Sequence, residues 1–177
     1  MRILGKVLVG IIVAGAALVA IAYVLPRQVE VTRTATLAAP PEKVYAHVAD
    51  FSRWQDWSPW AAKDPEMAVE ITGDPLAPGH AMSWESGEFG DGSMKITSAA
   101  APRRVDYALD FGGQGSAESW MVLTEAQGGT QVTWGFHTDL GMNPVSRWMG
   151  VMFESWIGGD YEAGLAKLAD AVTKDGI

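Results

Sequence analysis

Hydrophobic and polar positions follow three different rhythms along the chain. From Val7 to Leu25 no charged or strongly polar side chain interrupts the run VLVGIIVAGAALVAIAYVL. As a helix its 19 residues reach about 28 Å, close to the thickness of a bilayer's hydrocarbon core. Arg2 and Lys6 precede the run, which favours an N-terminus inside and a body exported to the outer side. Arg27 and Arg33 follow it and weaken that bias. Tyr23 is placed as an interfacial anchor, and Pro26 stops the helix. A second reading stays open: Ala20-Ile21-Ala22 is the A-x-A pattern of a cleaved signal peptide. Both readings put the body outside the cytoplasm. The first makes the chain a single-pass protein of the cytoplasmic (inner) membrane of a bacterial-type cell, with a domain over residues 28–177 on the periplasmic side.

After Leu25 the rhythm changes to period two. Val29, Val31 and Ala35 or Leu37 alternate with Glu30, Thr32 and Thr34, which predicts a half-buried strand over 28–38. Pro40-Pro41-Glu42 opens a helix that buries Val44, Tyr45, Val48 and Phe51, proline and acid both suiting a first turn. Asp50 caps a short second helix through Trp54, and Asp56-Trp57-Ser58-Pro59-Trp60 reads as irregular. Strands are expected at 67–73, 80–86, 92–100, 103–111, 116–125 and 130–139, separated by Gly, Pro and Asp turns. Val105, Tyr107, Leu109 and Phe111 share one face, as do Val132, Trp134 and Phe136. By parity Trp120 belongs to the opposite, outer face.

The third rhythm is helical. Asn143-Pro144 is a cap with proline in the first turn, and the helix is expected to reach Lys174. Val145, Trp148, Met149, Met152, Phe153, Trp156 and Ile157 form a wide apolar stripe, expected to look into the sheet. Gly158 and Gly159 interrupt it, and Leu165, Leu168 and Val172 resume it. The element order predicts an α+β fold: a curved antiparallel sheet of about seven strands wrapped round a long C-terminal helix, with two short helices after the first strand.

Composition narrows the function classes. The chain has 177 residues, 48% of them hydrophobic, with 8 Trp and 8 Met. Three of the 13 Lys and Arg precede Gln28 and none of the 21 acids does, so residues 28–177 carry a net charge of −11. That sign opposes a phosphate backbone, and nucleic-acid binding is excluded as a partner class. There is no cysteine, which removes disulfides, thiolate metal sites and Cys nucleophiles.

Several segments carry a resemblance. They are Leu25-Pro26 with Val31-Thr32-Arg33, then Val44-Tyr45, and Asp50-Phe51-Ser52-Arg53-Trp54 leading to Trp57-Ser58-Pro59-Trp60. Gly129-Thr130-Gln131-Val132-Thr133-Trp134 and Ile157-Gly158-Gly159-Asp160-Tyr161-Glu162 follow. Together they resemble the SRPBCC superfamily, the START-like helix-grip fold that includes polyketide cyclase/dehydratase-type proteins, in a branch with an N-terminal membrane helix. The resemblance spans about residues 25–170. It implies a cavity for a hydrophobic ligand between sheet and helix, and no single reaction.

The chemistry-bearing residues add little to that. His47, His80 and His137 lack metal-ligand spacing and read as surface or edge histidines; no metal or cofactor is expected. Gly112-Gly113-Gln114-Gly115 reads as a hairpin loop, and Ser58 lacks a nucleophile's context. The pocket candidates are Trp57, Trp60, Met82, Trp84, Met94, Tyr107, Trp134, Trp148, Met152, Glu154 and Trp156, an adaptable apolar lining with one acid. Glu154 is read as a carboxyl at the cavity rim or, alternatively, as a solvated or salt-bridged one. The expected function is a membrane-tethered domain binding a hydrophobic small molecule or lipid. The alternative is a cyclase- or dehydratase-type enzyme using Glu154, Tyr107 or Tyr161. Oligomeric state is not legible.

Overall fold

The computed structural model describes residues 2–175, with side chains from Leu4 to Asp175. Helix α1 (Arg2–Ala22) is followed by β1 (Gln28–Leu37), α2 (Pro41–Val48), a 3₁₀ helix (Phe51–Asp56) and α3 (Pro59–Lys63). Then come β2 (Ala68–Thr72), β3 (Ala81–Glu85), β4 (Gly92–Ala100), β5 (Arg104–Asp110), β6 (Ser116–Ala126), β7 (Gly129–Asp139) and α4 (Pro144–Lys174). The strands form one antiparallel sheet in the order β1-β7-β6-β5-β4-β3-β2. Its two edges, β1 and β2, are the strands that α2, the 3₁₀ helix and α3 connect. This is the expected α+β helix-grip arrangement.

Local chemistry explains the elements. Asp50 accepts from the Ser52 N–H at 3.0 Å and so opens the 3₁₀ helix. Asn143 caps α4 by accepting from the Val145 N–H at 2.9 Å. Pro59 sits in the first turn of α3, so the segment expected to be irregular is helical from that proline on. Gly129 meets a steric demand: a Cβ there would lie 1.9 Å from the Leu37 carbonyl oxygen. The adjacent Thr130 hydroxyl donates to the Ala39 carbonyl at 2.6 Å. The Gly-Thr pair thus joins the start of β7 to the end of β1.

Pairing register puts the alternating apolar residues in rows across the inner face. Val31, Phe136, Ser119, Tyr107 and Ile96 form one row; Ile71, Met82, Met94, Leu109 and Ala117 form another. A register shift between Ile96 and Ser98 in β4 bends the sheet. On the outer face Trp120 lies across Gly135, whose missing Cβ makes the room.

One expectation needs correction. The Trp/Met stripe does not look into the sheet: Val145, Trp148, Met149, Met152 and Trp156 are 39–65% exposed, while Phe153 and Ile157 of the same stripe pack against the core. The buried face of α4 consists instead of Arg147, Gly150, Gly158, Tyr161, Gly164, Leu165, Leu168 and Val172. Glycine marks this face because the sheet presses close. A Cβ at Gly150 would lie 2.4 Å from Leu140, one at Gly164 2.8 Å from Trp134, and one at Gly158 2.0 Å from the Arg33 guanidinium.

Candidate functional site

The space between sheet and helix is filled by rings. Trp57, Tyr107 and Trp134 are at most 1% exposed. Trp134 stacks on Tyr161 with centroids 3.8 Å apart and planes 11° from parallel, while Trp57 and Trp60 meet Trp134 edge-on at 5.5 and 6.0 Å. Met82 and Met94 are buried beside them in the same core. The structure brings these candidates together as close-packed neighbours in the core.

Polar atoms in this core are almost all committed. The Ser119 hydroxyl donates to the Gly135 carbonyl at 2.8 Å and accepts from Trp134 Nε1 at 3.1 Å. Its single proton being spent, the Tyr161 hydroxyl 3.3 Å away is the donor to it. Tyr107 donates to the Val48 carbonyl at 3.0 Å, where Trp54 Nε1 also donates at 2.8 Å. Burial pushes the Tyr161 phenol above its ordinary range and, helped by nearby Tyr45 and Tyr161, pushes Tyr107 well above it. Neither is a base at neutral pH. The Tyr45 hydroxyl is buried without a hydrogen-bond partner among the described residues, and burial raises its pKa too.

Of the three histidines, His137 is on the outer face of β7 as expected, while His80 and His47 are inside. His80 is buried, stacked on Phe51 at 4.8 Å. Its Nε2 accepts from the Phe51 N–H at 3.0 Å and Nδ1 faces the Thr72 carbonyl at 3.0 Å. His47 is buried as well, with Nδ1 on the Lys43 carbonyl at 2.9 Å and Nε2 3.1 Å from Asp175. Both pin the short helices to the rest of the fold. Among the described residues no group of His, Cys, Asp or Glu could hold a metal.

Glu154 lies outside the ring-filled core. It pairs with Arg33 at 3.0 Å, and Glu162 pairs with the same guanidinium at 2.6 Å. Arg33 sits in the row of Trp134 and Met121, on the inner face, and Gly158 leaves the gap through which it reaches both acids. The reading of Glu154 as a salt-bridged, solvated carboxylate is the one that matches.

Open apolar surface remains at the far end of the sheet. Val69, Ile71, Trp84, Leu109 and Phe111 are half-buried against the core. Trp84 meets Phe111 edge-on at 6.2 Å and lies over Gly92, where a Cβ would come within 2.3 Å of the indole. A groove of about 520 Å³ borders this edge, lined by Val69, Trp84 and Gly92 and by the acids Glu70, Glu85, Asp91 and Asp110, of which pairing register puts Glu70, Glu85 and Asp110 on the outer face. Of the pocket candidates, Trp84 alone borders this groove. Its acidic lining disfavours an anionic headgroup and leaves neutral or cationic apolar molecules as the better fit.

A second apolar hollow, of about 410 Å³, lies between Gly15, Leu18 and Val19 of α1 and Pro144, Val145 and Trp148 of α4. Trp148 Nε1 donates to the Leu18 carbonyl at 3.1 Å. Sequence reasoning passed over Arg147, which organises this junction. Its guanidinium is buried and donates to the carbonyls of Gly141, Tyr23 and Leu25 at 3.0, 3.2 and 3.3 Å, and stands over the Tyr23 ring at 5.6 Å. The visible signal was a lone arginine inside the apolar stretch Leu140–Phe153. A cation at the C-terminus of α1 answers orphan carbonyls and the negative end of the helix dipole. Helix α1 itself is long and apolar enough to cross a membrane, a test that a signal sequence also passes.

Comparison with known proteins agrees with this geometry. The family profile described as polyketide cyclase / dehydrase and lipid transport matches residues 28–173. No curated protein matches the chain. Among solved structures, the protein of unknown function SA2116 from Staphylococcus aureus superposes with a TM-score of 0.64 at 15% identity, over 83% of this chain and 94% of that one. A protein from Thermobifida fusca gives 0.63 at 21% identity, over 82% and 93%. DynU16, from the dynemicin biosynthetic locus, gives 0.57 at 15% identity, over 81% of this chain and 47% of its own. At these identities the likeness is one of fold.

Proposed function

Because the chain belongs to the polyketide cyclase / dehydrase and lipid transport family, we propose that it is a membrane-tethered domain that binds a hydrophobic small molecule or lipid. In this reading α1 is the tether, residues 28–177 form the binding domain, and the domain stands on the outer side of the inner membrane. The observation that carries the binding role is the half-buried apolar surface at the β2–β5 end of the sheet, centred on Trp84. There Trp84 and Phe111 are only half-buried, and an apolar guest at this edge of the sheet gains contact without displacing the core. An acid-rich rim selects against anionic lipids.

The enzymatic reading has weaker support. Tyr107 and Tyr161 hold their protons and spend them on Val48 and Ser119, and Glu154 is engaged by Arg33 at the surface. The experiment is native mass spectrometry of the full chain after gentle extraction. A neutral or cationic apolar molecule should travel with the protein, and Trp84→Ala should lower its occupancy several-fold with little change in melting temperature. Protein that is empty in every preparation, or occupancy indifferent to Trp84, refutes the reading.

A further inference from the structure

Helix α4 is apolar on two opposite sides. At 100° per residue its buried side and the stripe Val145, Trp148, Met149, Met152 and Trp156 stand about 180° apart, and the stripe spans an arc of about 100°. Past Trp156 the same outward side turns polar, with Lys167, Asp170 and Lys174. Arg147 is the only charged residue between Asp139 and Glu154, and it points inward. The exposed apolar surface is therefore confined to the half of α4 that adjoins α1.

From the contacts with α1 we infer that this half of α4 is itself immersed in the outer leaflet, so that the domain lies against the lipid surface instead of swinging on a tether. The inference rests on the reading of α1 as a membrane span. Leu18 lies four residues before the end of α1 at Ala22, about 6 Å along the axis, and Gly15 about 10 Å. Pro144, Val145 and Trp148, which meet these residues, share their depth. With Tyr23 at the interface, that depth is the one at which in-plane amphipathic helices sit, roughly 5–10 Å into the headgroup and acyl boundary. Arg147 and the bond from the Leu140 N–H to the Arg27 carbonyl at 2.9 Å leave the short connection to β1 no slack. The partner that covers the stripe is thus the same bilayer that holds α1.

The absence of cysteine makes the test direct. Single substitutions Val145→Cys, Met152→Cys, Asp170→Cys and Val13→Cys in the full chain are spin-labelled. They are reconstituted in vesicles of phosphatidylethanolamine and phosphatidylglycerol, and accessibility to oxygen and to a polar nickel chelate is measured. Labels at 145 and 152 should show oxygen-to-nickel ratios several-fold above that at 170, with 145 the deeper, and the label at 13 should read as lipid-embedded. Ratios at 145 and 152 equal to that at 170, with 13 in lipid, overturn this inference alone. A water-exposed label at 13 overturns the membrane span and the inference with it. Labels at 145 and 152 shielded from both reagents and broadened by spin–spin coupling make the stripe a contact between two copies, and also overturn it.

Discussion

Trp134 and Trp156 are the same residue type on facing elements, and they have opposite energetic weights. Trp134 is enclosed by Trp54, Trp57, Trp60 and Tyr161 and gives its indole proton to Ser119. Trp134→Ala leaves a void the rings cannot close and should cost about 3–5 kcal/mol. Trp156 is 49% exposed, so Trp156→Ala should cost no more than about 1 kcal/mol. Denaturant unfolding of the two variants in the same detergent checks the difference. Equal losses would mean that the stripe is packed against protein. Residue type was legible here and residue weight was not, because an indole is apolar whether ring or lipid covers it. Gly158 shows the converse: its value lies in the guanidinium of Arg33, a residue on another element that no local pattern connects to it.

The same lesson holds for α4 as an element. Its start, its end and its helical period follow from Asn143, Pro144 and the spacing of apolar residues. Its orientation does not follow from following the largest side chains. Tracing the stripe Val172, Leu168, Leu165 and Tyr161 backwards at the helical period passes Gly158, Glu154, Gly150 and Arg147, all of them buried except Glu154, which is held by Arg33. A close helix–sheet approach favours small residues, so the buried side is the less hydrophobic one in this half. Arg147 couples α4 to the end of α1, and Arg147→Ala should free residues 23–27 while the rings stay packed. Tryptic cleavage after Arg27 should then speed up several-fold at an unchanged melting temperature of the body, since local opening and global unfolding are separate events. An unchanged cleavage rate would show that the Arg27–Asp139 pair, at 2.6 Å, holds the segment by itself.

At the scale of the molecule, the buried core draws on residues 31–172 with Ala22 as the one contribution from α1. A chain of residues 28–177 should therefore unfold cooperatively, as about 150 residues can bury a full core. It should still carry the apolar stripe, and with a net charge of −11 it should bind anionic vesicles better as salt is raised. Screening removes the repulsion and leaves the apolar contact. Sedimentation with phosphatidylglycerol vesicles at rising salt checks this; binding that weakens with salt would show that Lys and Arg side chains, not the apolar stripe, make the contact.

Amino-acid order alone determined the apolar N-terminal segment, the strand–helix sequence and the alternation that turns Tyr107, Trp134 and Phe136 to the inner side of the sheet. Each depends on neighbours within one or two turns of chain. Tertiary structure decided which side of α4 faces the sheet, that the expected cavity is closed by Trp57, Tyr107 and Trp134 while Trp84 stays accessible, and that Glu154 answers Arg33. It also placed His47 and His80 inside. Those outcomes turn on how closely elements distant in sequence approach one another, and that distance is set by glycine gaps and ring stacking across the sheet, which periodicity along the chain does not encode.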